Sequence, residues 1–391
     1  MNRLIPIAIL LTLLGTASCA SPRGATGALA DTRPSVRPAL NTDEAGLWMQ
    51  MDRAEQSLRS SGRLVTDDAV RAYLRDVVCK LAPDHCADIR LYVVETPHFN
   101  ATVAPNGAMQ VWTGLLLRAD NEAQLAYVLG HELGHYLRRH SLQQWRDLRL
   151  KTNVVSVFSV VTAAAGQGLV GTLAQLAALG SVLQFSRDNE READEIGVEL
   201  MVHAGYDPGE APKIWEALEK ERLAAKDAQP LIFFATHPSS DERISTLREL
   251  ARKAHTPDRV WTTGRERYLT TMRPLRAALL REELRLRDFA RTQVLMERLL
   301  AAEPLSGQLH FFQGDLYRLR NDRDDLARAL ASYEQALALG GAPPETYRAA
   351  GLLLMRQGQR ERARDAFDHY LTEAAEAEDK PMIQSYLEQL R

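Results

Sequence analysis

The chain has 391 residues, 45% hydrophobic and 25% charged, so it is long enough for two or three ordinary globular domains and is neither a fibrous nor a disordered chain. A formal net charge of -3 offers no electrostatic case for a nucleic-acid partner. Aromatics are scarce while Ala, Leu, Arg and Glu are frequent, which leans helical.

The first residues read as an export signal. Arg3 supplies a positive charge, residues 4–14 are uncharged and apolar but short for a membrane span, and small residues follow. Residues 1–18 are expected to be a signal peptide of the lipoprotein type, because Ala17-Ser18-Cys19 resembles a bacterial lipobox with Cys19 as the lipidated N-terminus. Thr16 departs from that pattern, which prefers Leu, so ordinary cleavage after Ala20 stays open. Residues 19–41, rich in Ser, Pro, Gly, Thr and Ala, read as a flexible linker. With Cys19 lipidated or removed, Cys79 and Cys86 remain, close together around Pro83. Export makes a disulfide between them the expectation, against the alternative of two separate buried thiols.

Helical patterns cover residues 44–58 and 67–81, and residues 89–94 read as a strand. Residues 101–104 and 109–113 flank Pro105-Asn106-Gly107 and predict a hairpin turned by Asn-Gly. A helix follows, capped by Asp120 or Asn121, with Leu125, Val128, Leu129, Leu133, Tyr136 and Leu137 at helical spacing. Residues 152–186 carry no charge. One membrane crossing there would separate His135 from Glu190, and two crossings need about 40 residues plus a turn. A short helical hairpin broken near Gly166, Gly168 and Gly171 is therefore expected, as core packing or as a surface resting on a membrane or on unfolded clients. Helices over 188–203, 209–224 and 240–254 and an extended piece over 233–238 complete this part.

His131-Glu132-Leu133-Gly134-His135 carries the chemistry. Positions i and i+4 share one helix face, so the two imidazoles can grip one zinc ion. Glu132, rotated about 100° from His131, sits beside the metal and can act as general base toward a water polarised there. Gly130 and Gly134 leave room for a close neighbour. A second acidic helix carries Glu190 and Asp194 one turn apart. Glu190 can be the third ligand, and Asp194 can hold a ligand histidine by its other ring nitrogen. Two histidines, one glutamate and a water make an open, catalytic kind of site.

His-Glu-Leu-Gly-His, then Ser186-Arg187 with Glu190, Ala193 and Asp194, then Thr236-His237-Pro238 with Arg243, resembles the HtpX/BepA/CAAX-prenyl-endopeptidase family of gluzincin zinc metallopeptidases. The likeness covers roughly residues 44 to 254. It implies endopeptidase activity, Glu190 rather than Glu192 as ligand, and a strand in residues 100–115 that pairs with substrate backbone. His237 has two readings: it reaches the open metal position or stabilises the tetrahedral intermediate, or it only caps the next helix. Arg243 pairs either with an acidic partner of the site or with a neighbouring Glu. His140, His203 and His255 read as ordinary surface residues.

In the C-terminal third, Ala329, Tyr333 and Ala336 recur as Ala363, Phe367 and Tyr370, a period of 34 residues, and Gly314 and Tyr317 are echoed by Gly351 and Leu354. This is the period of tetratricopeptide repeats, which stack into binding surfaces. The expected fold is thus mainly α with a small β-sheet, an α+β zincin-like metallopeptidase domain over 42–262, followed by an all-α tetratricopeptide-repeat domain over 263–391. The expected function is a zinc-dependent endopeptidase of the bacterial cell envelope, one Zn2+ per chain, acting on misassembled periplasmic or outer-membrane proteins. Client or assembly-machinery proteins would bind the repeats, and a lipid at Cys19 would tether the chain to the outer membrane. The alternative is a chaperone-like adaptor with a restrained or vestigial protease site.

Overall fold

The computed structural model describes residues 34, 36–151, 185–225, 233, 237 and 241–391. The signal peptide, Cys19, most of the linker, residues 152–184 of the uncharged stretch, Thr236 and Pro238 lie outside the described residues. Among those described, no helix is long and apolar enough to cross a membrane.

Helix α1 (Asp43–Arg59) is capped by Thr42, and α2 (Asp68–Leu81) by Asp67, whose carboxylate accepts the Val70 N–H. One face of α2, with Val70, Leu74, Val77 and Leu81, is buried. A disulfide links Cys79, in the last turn of α2, to Cys86, with Cα atoms 4.7 Å apart. Strands β1 (Arg90–Val94), β2 (Ala101–Val103) and β3 (Ala108–Trp112) form one sheet in the order β1-β3-β2. β1 runs parallel to β3 and β2 antiparallel to it, with Tyr92 and Thr102 both opposite Gln110. The hairpin turn places Gly107 at φ +85°, where a Cβ would stand 2.3 Å from the Asp88 carbonyl oxygen, so only glycine fits. Asn106 stiffens the turn by accepting the Ala108 N–H and donating to Asp52 and Glu55.

β3 runs directly into a short helix, α3 (Thr113–Arg118), which the sequence pattern does not announce. The central helix α4 (Glu122–Leu137) follows, capped by Asn121, the second of the two candidate caps, and buried over all but its last residue. Arg139 then adopts a left-handed φ of 56°, and α5 (His140–Lys151) leaves in a new direction. Helix α6 (Arg187–His203), capped by Ser186, packs tightly along α4. Glycines set that spacing: a Cβ on Gly197 would lie 2.9 Å from the His131 nitrogen, and one on Gly134 3.1 Å from the Ala193 carbonyl oxygen. The room at Gly134 is therefore taken by the backbone of α6. Helices α7 (Ala211–Ala224) and α8 (Asp241–Ala254) complete this part. Between them, the His237 N–H donates to the Phe233 carbonyl at 2.9 Å. Phe233 is helical rather than extended, and the rest of the extended piece expected over 233–238, His237 apart, lies outside the described residues.

The helix after residue 262, α9 (Arg265–Arg285), packs on α2, α3 and α4. Tyr268 donates to the Leu116 carbonyl and meets the Tyr73 ring at a tilt of 59°. Arg118 on α3 donates to Glu221 on α7 at 2.7 Å and to Glu283 on α9 at 2.8 and 3.1 Å. All three side chains are almost fully buried. Then come α10 (Phe289–Ala302), α11 (Gly307–Arg320), α12 (Asp325–Leu339), α13 (Glu345–Arg356), α14 (Arg360–Glu373) and α15 (Lys380–Gln389). α11 pairs with α12 and α13 with α14. The repeated residues lie at those pairings. Gly314 faces the Tyr333 ring and Gly351 the Phe367 ring, where a Cβ would approach to 2.4 and 2.7 Å. The molecule is mainly α with one small sheet and a helical-repeat C-terminal part.

Candidate metal centre

Helix α4 brings His131, Glu132 and His135 to one side, α6 brings Glu190 and Asp194, the turn before α8 brings His237, and α8 brings Arg243. His131, His135, Glu190 and His237 are all buried, and each offers a donor atom within 4.8 Å of the others. The His131 and His135 Nε2 atoms are 3.1 Å apart, and His237 Nδ1 is 3.3 Å from His131 Nε2. Glu190 Oε1 lies 3.4 Å from His135 Nε2 and 3.0 Å from His237 Nδ1, and its Oε2 3.6 Å from His131 Nε2. Ligands at about 2.0–2.1 Å around a tetrahedral zinc stand about 3.3 Å from one another. The donor distances of 3.0–3.6 Å lie around that value, and the chemistry, three imidazoles and a carboxylate, suits zinc. The residues present therefore fit a metal ion.

The surroundings set the charge of each donor. Burial, with the Arg243 charge adding to it, holds His131 below its ordinary value. Burial pushes His135 further down. Both imidazoles are thus neutral, as ligands must be. Burial alone would raise Glu190, but the positive charges of His237 and Arg243 outweigh it and hold the carboxylate well below its usual range. Asp194 is likewise held low, because Arg243 and His131 outweigh burial. His237 goes the other way: burial lowers it, and Glu190 and Glu132 more than compensate. Glu132 is pushed up to about 7, chiefly by burial, with Glu190 adding to it. Its Oε1 is buried without a hydrogen-bond partner, 3.5 Å from His237 Nε2. A carboxylate so placed is poised to exchange protons near neutrality.

A second layer holds these groups. His131 Nδ1 meets Asp194 Oδ1 at 2.9 Å. Arg243 donates twice to Asp194, at 2.8 and 2.7 Å, and once to Glu190 Oε2 at 2.6 Å. Of the two readings of Arg243, the structure has the pairing with the acidic residues of the site. Two further residues were not found from sequence. Tyr127 donates to Asp194 at 2.7 Å, and Trp215 Nε1 donates to Tyr127 at 3.0 Å. Tyr127 stands one turn before His131 on the same face, a signal that was available; Trp215 on α7 had none. Phe185 stacks on His135 and Phe233 on His237, with ring centroids 3.9 and 4.4 Å apart. Glu192 faces away from the donors, toward Arg138 and His140. His140, expected at the surface, is fully buried because the break at Arg139 folds α5 back under α4. His203 and His255 are exposed, as expected.

A buried cluster of three imidazoles and one carboxylate, with the Glu132 carboxyl beside two of the imidazoles on the same helix, is the donor set of a metallopeptidase domain. Residues 66–251 match the model of Peptidase family M48, and this part of the chain is a domain of that family. Over 160 residues the chain is 38% identical to the mitochondrial metalloendopeptidase OMA1 of Schizosaccharomyces pombe, covering 41% of this chain and 45% of that protein. Over 239 residues it is 28% identical to the beta-barrel assembly-enhancing protease of Escherichia coli, covering 57% and 48%. The chain spans about half the length of these relatives.

Proposed function

We propose that this chain is a zinc-dependent endopeptidase of the cell envelope. His131, His135 and Glu190 hold the metal and Glu132 is the general base. The observation that carries the reading is the buried set of three imidazoles and one carboxylate whose donor atoms converge within 4.8 Å, with the raised carboxyl of Glu132, its Oε1 without a hydrogen bond, beside it. Zinc held there would supply Lewis-acid polarisation of the scissile carbonyl and of the attacking water. Glu132 is the residue placed to take a proton from a water and to give it to the leaving amine. Asp194 and Arg243 fix the rings and carboxylate that face the metal, and α6 is held against α4 by the glycine contacts. β2 is the edge of the sheet beside α4 and offers its open side to an extended substrate backbone.

Two features bear on the biological role. The likeness to a beta-barrel assembly-enhancing protease and the lipobox-like Cys19 support a periplasmic enzyme tethered to the outer membrane and acting on misassembled proteins. The helical hairpins of α11–α14 support a tetratricopeptide-type surface for a client or partner protein. One observation favours a second reading. His237 Nδ1 stands at the corner of the cluster that a water or substrate must take, which suits an adaptor with a restrained protease site. Zinc content and casein hydrolysis of the full chain, wild type beside Glu132→Gln, decide between them. Bound zinc with hydrolysis that vanishes in Glu132→Gln supports the enzyme; bound zinc without hydrolysis in either supports the adaptor.

A further inference from the structure

His140 is outside the metal-facing cluster, yet it is the least exposed histidine of the molecule, at 0%. A buried imidazole needs partners for both ring nitrogens. His140 has them. Its Nδ1 lies 2.9 Å from His135 Nδ1, and its Nε2 lies 3.0 Å from Glu192 Oε2. Glu192 is in turn paired with Arg138 at 2.6 Å and is over a third exposed. A chain of three side chains therefore runs from the metal-facing ring of His135 to the surface.

The spacing of these residues does not produce the contact by itself. Residues i and i+5 on one α-helix differ by about 140° in rotation and face apart. The left-handed Arg139 ends the helical path after Arg138 and starts α5 at His140, so the ring returns beneath the last turn of α4.

Hydrogen placement along the chain has one consistent solution. His135 Nε2 points into the donor cluster, 3.1 Å from His131 Nε2 and 3.4 Å from Glu190 Oε1. A neutral imidazole that gives Nε2 to a metal carries its proton on Nδ1. That N–H must find an acceptor, and the atom facing it is His140 Nδ1. His140 then carries its own proton on Nε2 and donates it to Glu192. The opposite arrangement would put a proton on His135 Nε2, in the middle of the cluster. The two metal-facing histidines are thus held differently: His131 directly by the buried carboxylate of Asp194, His135 through a second imidazole.

We propose that His140 is a positioning residue for the metal centre: by accepting from His135 Nδ1 and donating to Glu192, it keeps His135 in the tautomer and ring orientation that present Nε2 to the metal. This rests on the zinc reading of the site. Zinc affinity of the full chain, measured by competition with a chromogenic chelator, and the visible absorption of the cobalt-substituted protein test it. His140→Leu fills the space without an acceptor and is expected to weaken zinc by ~10–100-fold and to alter the cobalt spectrum. His140→Asn keeps an acceptor near the Nδ1 position and is expected to restore most of that loss. Glu192→Leu is expected to weaken zinc in the same direction and by less. Wild-type affinity and spectrum in His140→Leu overturn the proposal. So does an equal loss in His140→Leu and His140→Asn accompanied by an equal fall in the melting temperature of the metal-free proteins, which marks a packing role. Should His140→Leu not fold, an unchanged affinity in Glu192→Leu overturns it. A wild-type chain that binds no zinc refutes the underlying metal assignment and this inference with it, whereas zinc bound equally by wild type and His140→Leu refutes the inference alone.

Discussion

Asp194→Asn removes a single charge from the most heavily bonded carboxylate of the site. Asp194 Oδ1 receives Tyr127 at 2.7 Å, Arg243 Nη2 at 2.7 Å and His131 Nδ1 at 2.9 Å, while Oδ2 receives Arg243 Nε at 2.8 Å. An asparagine oxygen at the Oδ1 position still accepts from His131 and Tyr127. Its amide then faces the Arg243 Nε–H, donor against donor, and a buried guanidinium loses its two-point partner. Breaking a buried charge pair from one side costs about 3–5 kcal/mol. Arg243 keeps Glu190 at 2.6 Å and the Trp215 ring beneath it at 3.9 Å, which puts the cost near the lower end, about 3 kcal/mol. At about 2–4 °C per kcal/mol for a domain of this size, the metal-free protein should melt about 6–12 °C lower. Zinc affinity should fall about 10–100-fold, since His131 then leans on a neutral oxygen. Thermal melting with chelator present and zinc competition on the same samples read the two effects separately. A variant that melts with the wild type and binds zinc within about threefold of it would show that Asp194 neither holds Arg243 nor orients His131.

Glu132→Gln should keep zinc and fold while hydrolysis falls about 10²–10⁴-fold, and Glu190→Gln should lose zinc itself; metal stoichiometry beside peptidase rate separates them. The Cys79–Cys86 bond should be found in exported, non-reduced protein, where thiol titration detecting two free cysteines contradicts it. Cys19→Ala should shift the protein from the membrane to the soluble fraction, and an unchanged distribution removes the lipid anchor. Arg118→Leu leaves Glu221 and Glu283 buried together. Burial already raises Glu221 against the pull of Arg118, and without that charge it rises further. A carboxyl raised in the folded state contributes stability below its ordinary value of about 4.3 and loses it as pH rises through the folded value. The variant should therefore approach wild-type melting near pH 5 and fall furthest behind near pH 8; a gap independent of pH contradicts this.

The donor set was legible because helical periodicity converts spacing directly into facing. His131 with His135, and Glu190 with Asp194, needed only i and i+4 on two helices, and Asn121 was one of two residues that could mark where the first begins. The hairpin was legible from Asn106-Gly107, where Gly107 takes a backbone conformation that other residues resist. What was not legible depends on breaks and on distant neighbours. His140 reads as a surface residue on any continuous helix and becomes a partner of His135 only through the left-handed Arg139. Trp215 reaches Tyr127 from 88 residues away in the chain, and no local pattern encodes that. Helix α3 is only six residues long, too short for a period to emerge.

The salt-bridged knot of Arg118, Glu221 and Glu283 has a consequence for how this protein can be cut, fused or evolved. Residue 262 is a boundary in composition, yet the helix after it donates Glu283 to a charge balance shared with two helices of the peptidase part. Arg298 on α10 adds to the same seam through Asp120 and lies 3.9 Å from Glu221. A fragment ending at residue 262 keeps Arg118 and Glu221 but exposes the pocket that excluded water from them. Transplanting foreign repeats after that residue carries the same defect unless an acid is supplied where Glu283 stands. The interchangeable part of this chain therefore starts beyond α10, in the hairpins of α11–α14, and substitutions at positions 118, 221 and 283 are expected to travel together through descent.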